Sequence, residues 1–195
     1  MSNYQLIVYG ATSFVGQLLT RYLFERHGVN GDLQWAIAGR SQSKLNELRQ
    51  SLGSAAQALP IVLADAADEA ALTAMCQQTK VVVSTVGPYV LYGSTLVKVC
   101  AHTGTDYCDL TGEPQWIAQM IEQYEATAQK NGARIVHCCG FDSIPSDLGT
   151  YYLQQQANQQ FGQACTRVKL RVKAIKGGMS GGTVGSMTEI GRAHV

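Results

Sequence analysis

The stretch Gln5-Leu6-Ile7-Val8-Tyr9-Gly10-Ala11-Thr12-Ser13-Phe14-Val15-Gly16 decides the fold. An apolar, β-prone run stops at Gly10, and a helical pattern begins a few residues later. That order of strand, turn and helix opens a nucleotide-binding crossover unit. Gly10 permits the sharp turn, because a residue without a Cβ takes positive φ freely. Gly16 lets the helix pack close to the sheet. The first-turn N–H groups have no partner inside the helix and face outward, where a pyrophosphate binds. The spacing is Gly-x-x-Ser-x-x-Gly, so Ser13 stands where a three-glycine motif has its middle glycine. Ser13 either caps the helix or hydrogen-bonds a phosphate, and its Cβ limits how closely the backbone approaches one. We expect Gly10, Ala11, Thr12, Ser13, Phe14, Val15 and Gly16 to form a cofactor-binding turn. A plain βα turn is the alternative.

Beyond this turn the chain alternates strands and helices. Val15, Leu18, Leu19, Tyr22 and Leu23 recur at helical spacing and read as one apolar face. Strands are expected over 33–38, 60–64, 81–86, 106–110 and 134–140. Helices are expected between them, with Asp68 as an N-cap, one helix over 94–102 and a long one over 114–131. The run 81–86 is β-branched without alternation, as suits a strand buried on both faces of a parallel sheet. Parallel neighbours need crossovers, nearly always right-handed. The fold class is therefore α/β, a doubly wound parallel Rossmann sheet of order 3-2-1-4-5-6. Its ligand is expected outside the carboxyl ends of strands 1 and 4.

The pattern changes after Ser146-Asp147, where another helix starts. Thr166-Arg167-Val168-Lys169-Leu170-Arg171-Val172-Lys173 alternates basic and apolar residues and reads as a half-exposed strand. Its basic stripe reads as a solvated face rather than a phosphate or nucleic-acid site. We expect a cofactor domain at 1–150 and the start of an incomplete α+β substrate domain at 151–189. One strand cannot make a sheet, and Lys176-Gly177-Gly178-Met179-Ser180-Gly181-Gly182-Thr183 reads as a glycine-rich link. The final Ile190-Gly191-Arg192-Ala193-His194-Val195 resembles a translated sequencing adapter. Residues 190–195 are therefore expected to be a non-native tail on a truncated reading frame.

The 195 residues are 46% hydrophobic and 15% charged, with a net charge of +1. A sizeable core is expected, and bulk charge gives no support to nucleic-acid or anionic-membrane binding. The six cysteines show no C-x-x-C spacing and read as free thiols of a reducing compartment. Cys138 and Cys139 would face opposite sides of a strand, which argues against a metal pair. No run is long enough to span a bilayer, and a cytoplasmic location is expected.

Arg40 is the strongest clue after the glycine turn. Dinucleotide folds place an acidic residue at the end of strand 2, about 20 residues past the glycines, to hold the ribose hydroxyls. Here Gly39-Arg40-Ser41 carries a guanidinium, with Lys44 one helical turn on. A guanidinium forks onto a 2′-phosphate that a carboxylate would repel. The expected cofactor is NADP rather than NAD; the alternative is an Arg40 simply solvated at a strand end. Asp65 either accepts from the adenine amino group or serves as a helix N-terminal carboxylate. Thr85, Val86, Gly87 and Pro88 are expected beside the ribose and nicotinamide. Tyr89 and Tyr92 follow in an expected surface loop, lining a substrate entrance or simply packing.

Catalytic signals are sparse. No Tyr-x-x-x-Lys pair, metal constellation, nucleophile elbow or Walker loop occurs. Asp142, Glu113 and Tyr89 are the candidate acid–base or substrate-orienting groups. Helix capping is the competing role for both carboxylates, and His137 reads as a satisfied core histidine.

Taken together, the chain resembles the saccharopine dehydrogenase-like oxidoreductases, including their trans-acting enoyl reductase branch. The matching pieces are Gly10 to Gly16, Ala38-Gly39-Arg40, Val86-Gly87-Pro88-Tyr89, Tyr107-Cys108-Asp109-Leu110-Thr111-Gly112-Glu113, Gly140-Phe141-Asp142-Ser143-Ile144-Pro145-Ser146-Asp147 and Ser180-Gly181-Gly182-Thr183. The resemblance implies an NAD(P)-binding Rossmann domain, then a mixed α/β substrate domain. It also implies hydride transfer to a small molecule, lipid-like and unsaturated in the enoyl reductase branch. An NADP-dependent oxidoreductase is the first reading, with a homodimer allowed. A non-catalytic dinucleotide-binding sensor or scaffold is the second, and a lipid-surface accessory protein the third. Resequencing the gene tests the truncation: native codons in place of the last six are expected, and a genomic stop codon directly after Val195 overturns it.

Overall fold

β1 (Tyr4–Tyr9) lies in the middle of a six-stranded sheet with β2 (Trp35–Gly39) on one side and β4 (Thr79–Ser84) on the other. β3 (Ile61–Leu63) extends the β2 side, and β5 (Asp106–Asp109) and β6 (Ile135–Val136) extend the β4 side. Every pairing is parallel, and the order is β3-β2-β1-β4-β5-β6. The computed structural model describes residues 3–174, 176–178 and 181–192. The expected sheet and its order are those observed.

Alternate residues of β1 serve two cores, as the pleat requires. Ile7 and Tyr9 enter the larger core with Leu72, Met75, Leu96 and Trp116. That core lies under α3 (Glu69–Cys76), α5 (Ser94–Thr103) and α6 (Pro114–Asn131). Val8 enters the other core with Trp35, Ile37, Leu45 and Leu59, beneath α1 (Phe14–His27) and α2 (Gln42–Ser51). Asp68 caps α3 by accepting from Ala71 N at 3.0 Å, as expected. Toward β6 the α1 side of the sheet is thinly covered: Val81 and Val83 are half-buried and Val136 is exposed.

The buried face of α1 differs in part from the expected one: Leu23 is buried and Leu19 packs beside it, but Leu18 and Tyr22 do not. Gly16, Thr20 and Leu23 face the sheet, while Leu18 and Tyr22 are exposed in line with Phe14. The reason is backbone proximity. A Cβ at Gly16 would lie 2.2 Å from the Gly10 carbonyl oxygen and 2.8 Å from Ala11 Cα, so the helix leans on its glycine edge. Phe14, Leu18 and Tyr22 are thereby turned toward solvent, while Leu19, Leu23 and Phe24 pack in the core beneath the helix.

Other boundaries shift for local reasons. β6 is only Ile135–Val136, because beyond it Asp109 captures the chain. Cys139 N donates to Asp109 O at 2.7 Å, Cys138 N donates to Asp109 Oδ1 at 3.1 Å, and Cys138 takes φ 62°. The expected surface loop at 89–92 is a short helix, α4 (Tyr89–Tyr92), with Tyr89 buried against Trp116 at a ring separation of 5.5 Å. α7 (Ile144–Phe161) starts near the expected Ser146-Asp147 and runs across residue 150.

Residues 166–173 form no strand. An isolated strand leaves its ladder groups unpaired, and no pairing among the described residues involves this segment. The expected glycine-rich link is helical from Gly181 onward, in α8 (Gly181–Arg192). Residues 175, 179 and 180, and 193–195 of the expected tail, lie outside the described residues.

Gly16→Ala should cost about 1–3 kcal/mol of stability, since both groups it would strike are backbone. Urea denaturation, read as a lower midpoint with unchanged slope, measures it.

Candidate functional site

A cleft of about 600 Å³ opens at the carboxyl ends of the central strands, at the switch point between β1 and β4. Four successive strand exits build its walls. The β1 exit supplies Tyr9, Gly10, Thr12 and Ser13, and the β2 exit supplies Gly39 and Arg40. Asp65, Ala66 and Ala67 follow β3. Thr85, Val86 and Gly87 follow β4, and Leu91, Tyr92 and Thr95 close the far end.

The β1 turn is locked by a chain of hydroxyl bonds. Gly16 N donates to Ser13 Oγ at 3.0 Å, Ser13 Oγ lies 2.9 Å from Thr85 Oγ1, and Thr85 Oγ1 donates to Gly10 O at 2.9 Å. The proton of Ser13 therefore goes to Thr85, and the proton of Thr85 to Gly10. Of its two expected roles, Ser13 takes helix capping. Gly10 N and Ala11 N both donate to Ala38 O, at 2.9 and 3.2 Å. Phe14 N and Val15 N, at the start of α1, have no partner within the helix.

Gly10 sits at φ +80°, and a Cβ there would approach Val86 Cγ2 to 2.5 Å. Glycine at position 10 thus lets Thr85 and Val86 pack directly against the β1 turn. The turn lines the cleft next to a helix start, a place that suits a phosphate group.

Arg40 is exposed directly after β2, at one end of the cleft. Asp65 accepts from Ala67 N at 2.9 Å through Oδ1, so it shapes its own turn while lining the cleft. Tyr9, on the neighbouring strand β1, feels the charge of both. Burial pushes its hydroxyl above the ordinary range, the charge of Asp65 acts in the same direction, and Arg40 opposes both. Lys44, also expected near the cofactor, is exposed in the first turn of α2 and does not line the cleft. Ala11, Phe14, Val15, Gly16 and Pro88, also expected there, likewise do not line it.

The three catalytic candidates are dispersed. Asp142 is exposed in the turn before α7 and does not line the cleft. Tyr89 points into the core: its hydroxyl donates to Ser84 O at 3.1 Å and accepts from Leu110 N at 3.3 Å. Burial, reinforced by Asp109 and Glu113, pushes that hydroxyl above its usual range. Glu113 occupies the N-cap position of α6 but does not cap it. Its carboxylate accepts instead from Tyr89 N at 2.9 Å and Val90 N at 2.8 Å, holding the start of α4.

A second buried carboxylate organises the β5 exit. Asp109 Oδ2 accepts from Tyr107 Oη at 2.9 Å and His137 Nδ1 at 2.7 Å. Its Oδ1 accepts from Thr111 N and Cys138 N, each at 3.1 Å. The ring of His137 is thus held through Nδ1, edge-on to Trp116 at 5.1 Å. Cys76 and Cys100 are buried and free, with sulfurs 3.7 Å apart. Burial and neighbouring Cys139 push the Cys108 thiol up to about 12. Among the described residues no cluster could hold a metal ion, and no helix is long and apolar enough to cross a membrane.

Several lining residues were not anticipated. Tyr9 is readable as the last residue of the strand before the glycine turn. Leu91 and Thr95 carry no signal, because only the packing of α4 and the start of α5 brings them to the cleft.

Residues 6–136 match the saccharopine dehydrogenase NADP binding domain. A Mycobacterium tuberculosis protein, provisionally named a trans-acting enoyl reductase, is 46% identical over 188 residues. A trans-acting enoyl reductase of Mycobacterium ulcerans is 40% identical over 188 residues. Each alignment covers 96% of this chain and 44% of the relative, so the chain spans less than half the length of these proteins. A lipid droplet localized protein of Caenorhabditis elegans is 40% identical over 159 residues, covering 80% of this chain and 37% of that one. Saccharopine dehydrogenase (L-Glu forming) from Saccharomyces cerevisiae shares the fold, with a TM-score of 0.62 at 17% identity over 80% of this chain and 32% of that one. The glycine turn, the switch-point cleft and the match over 6–136 agree: this chain belongs to the saccharopine dehydrogenase NADP-binding domain family.

Proposed function

We propose that this chain is the cofactor-binding portion of an NADP-dependent oxidoreductase acting on an unsaturated or imine-type substrate of lipid origin. The observation that carries the reading is the cleft itself, lined at once by the glycine turn at Gly10 and by the exposed guanidinium of Arg40. In this reading the turn at 10–16 holds the pyrophosphate, and Arg40, with Lys44 behind it, takes the 2′-phosphate. Asp65 faces the adenine, and Thr85, Val86 and Gly87, backed by Pro88, face the ribose and nicotinamide. Bound there, the reduced cofactor supplies a hydride. The enoyl reductase relatives support the reaction class, and the lipid droplet relative supports a lipid-derived substrate.

The same reading includes a reducing, cytoplasmic setting, supported by six free cysteines. It also includes a homodimer, supported by the exposed Phe14, Leu18 and Tyr22 on one side of α1. Residues 151–189 belong in it to the start of a substrate domain. A binding protein without turnover is the second reading. It is favoured by one observation: Tyr89 and Glu113, two of the three catalytic candidates, are tied to backbone groups. Loss of NADPH absorbance with enoyl or imine compounds, assayed in the full-length protein, separates the two.

Arg40→Ala tests the cofactor assignment. Losing a charged hydrogen bond worth about 1.5–3 kcal/mol should reduce the preference for NADPH over NADH by roughly 10- to 100-fold. Paired titrations of both dinucleotides measure it, and an unchanged ratio overturns the assignment.

A further inference from the structure

We propose that Glu113 is a positioning residue that sets the nicotinamide end of the cleft by tying α4 to α8. The proposal rests on the cofactor reading above. A dinucleotide lies across the switch point. With Arg40 marking the adenosine end, the wall formed by Gly87, Leu91 and Tyr92 is the opposite end.

Three donors converge on the two oxygens of Glu113. Oε1 accepts from Tyr89 N at 2.9 Å and from Ser186 Oγ at 2.7 Å, and Oε2 accepts from Val90 N at 2.8 Å. The residue is 2% exposed, so little water competes for these bonds. The first two donors lie far apart in sequence, one at the β4 exit and one in α8. Packing follows the same line: a Cβ at Gly185 would lie 3.1 Å from Pro88 Cγ, so α8 rests on the turn that leads into α4. Tyr89 anchors α4 from below through its bonds to Ser84 O and Leu110 N. With its backbone held by Glu113 and its first side chain held in the core, α4 has a fixed placement. Leu91 and Tyr92 are then presented to the cleft as a rigid wall.

The charge is needed because all three partners are donors. A carboxylate accepts from every direction in its plane, whereas an amide turns an N–H₂ group against one of them. Glu113→Gln keeps the shape and breaks part of the arrangement. Ser186→Ala removes only the link to α8.

The test compares two ligands on this chain. NADPH reaches both ends of the cleft, whereas adenosine 2′,5′-bisphosphate reaches only the Arg40 end. Calorimetric titration of Glu113→Gln should show NADPH affinity falling about 10-fold, and Ser186→Ala about 3-fold, as expected for loss of one hydrogen bond. Affinity for the bisphosphate should stay within about 2-fold of wild type in both, because its contacts are remote from Glu113. A general loss of structure would weaken both ligands together, and that parallel loss in Glu113→Gln overturns the proposal. Unchanged NADPH binding in Glu113→Gln overturns it equally, and unchanged binding in Ser186→Ala overturns the link to α8. Wild-type chain that binds neither ligand overturns the cofactor reading, and the positioning role with it.

Discussion

The close approach of Gly16 to the Gly10 carbonyl governs the rest of the molecule. It draws α1 onto the end of β1 and turns the small-residue edge of the helix inward. The same carbonyl accepts from Thr85, which ties the β1 turn to the β4 exit. Thr85 N also donates to Tyr9 O at 2.9 Å, so β1 and β4 stay in register to their last residues. The cleft exists because these two exits are fixed beside each other while their following helices diverge to opposite faces. Any side chain at position 10 or 16 would fill the space where the strand exits meet.

What the sequence revealed follows from how much signal each feature carries. Strands buried on both faces are continuous apolar runs, so β1, β2 and β4 were legible, and their alternation with helices dictated parallel pairing. Arg40 was legible because its place depends only on counting from a strand end. The inward face of α1 was not, because hydrophobicity points to Leu18 and Tyr22 while close packing selects Gly16 and Thr20. Residues 166–173 have a strand's alternation, but alternation describes a surface in search of a partner, and pairing is a tertiary fact. Likewise β6 was read too long, since nothing local at 137–140 announces that Asp109 takes over its backbone donors.

Glu113 and Asp109 show the same limit on the chemistry. Asp109 ends β5 and Glu113 follows it closely, and Glu113 reads from sequence as a loop carboxylate free to cap a helix or move a proton. Both are instead buried and filled with donors, Glu113 by three and Asp109 by four. Motif position places a carboxylate near a site, but it does not say which groups will converge on its oxygens.

That distinction bears on how such a cleft works. A buried carboxylate is costly unless its oxygens are matched by donors, and removing one donor is far more damaging than never burying the charge. Asp109 and Glu113 meet that condition, which makes the exits of β5 and β4 stiff rather than reactive. A group that exchanges protons with a substrate has to be reachable and partly unsatisfied. These two acids meet neither demand, so their charge acts on geometry: one holds His137 and the β6 exit, the other holds the wall of Leu91 and Tyr92. In the proposed arrangement this sets the shape of the end where a reacting ring would lie, and there a misplacement of about 1 Å costs on the order of 100-fold in rate.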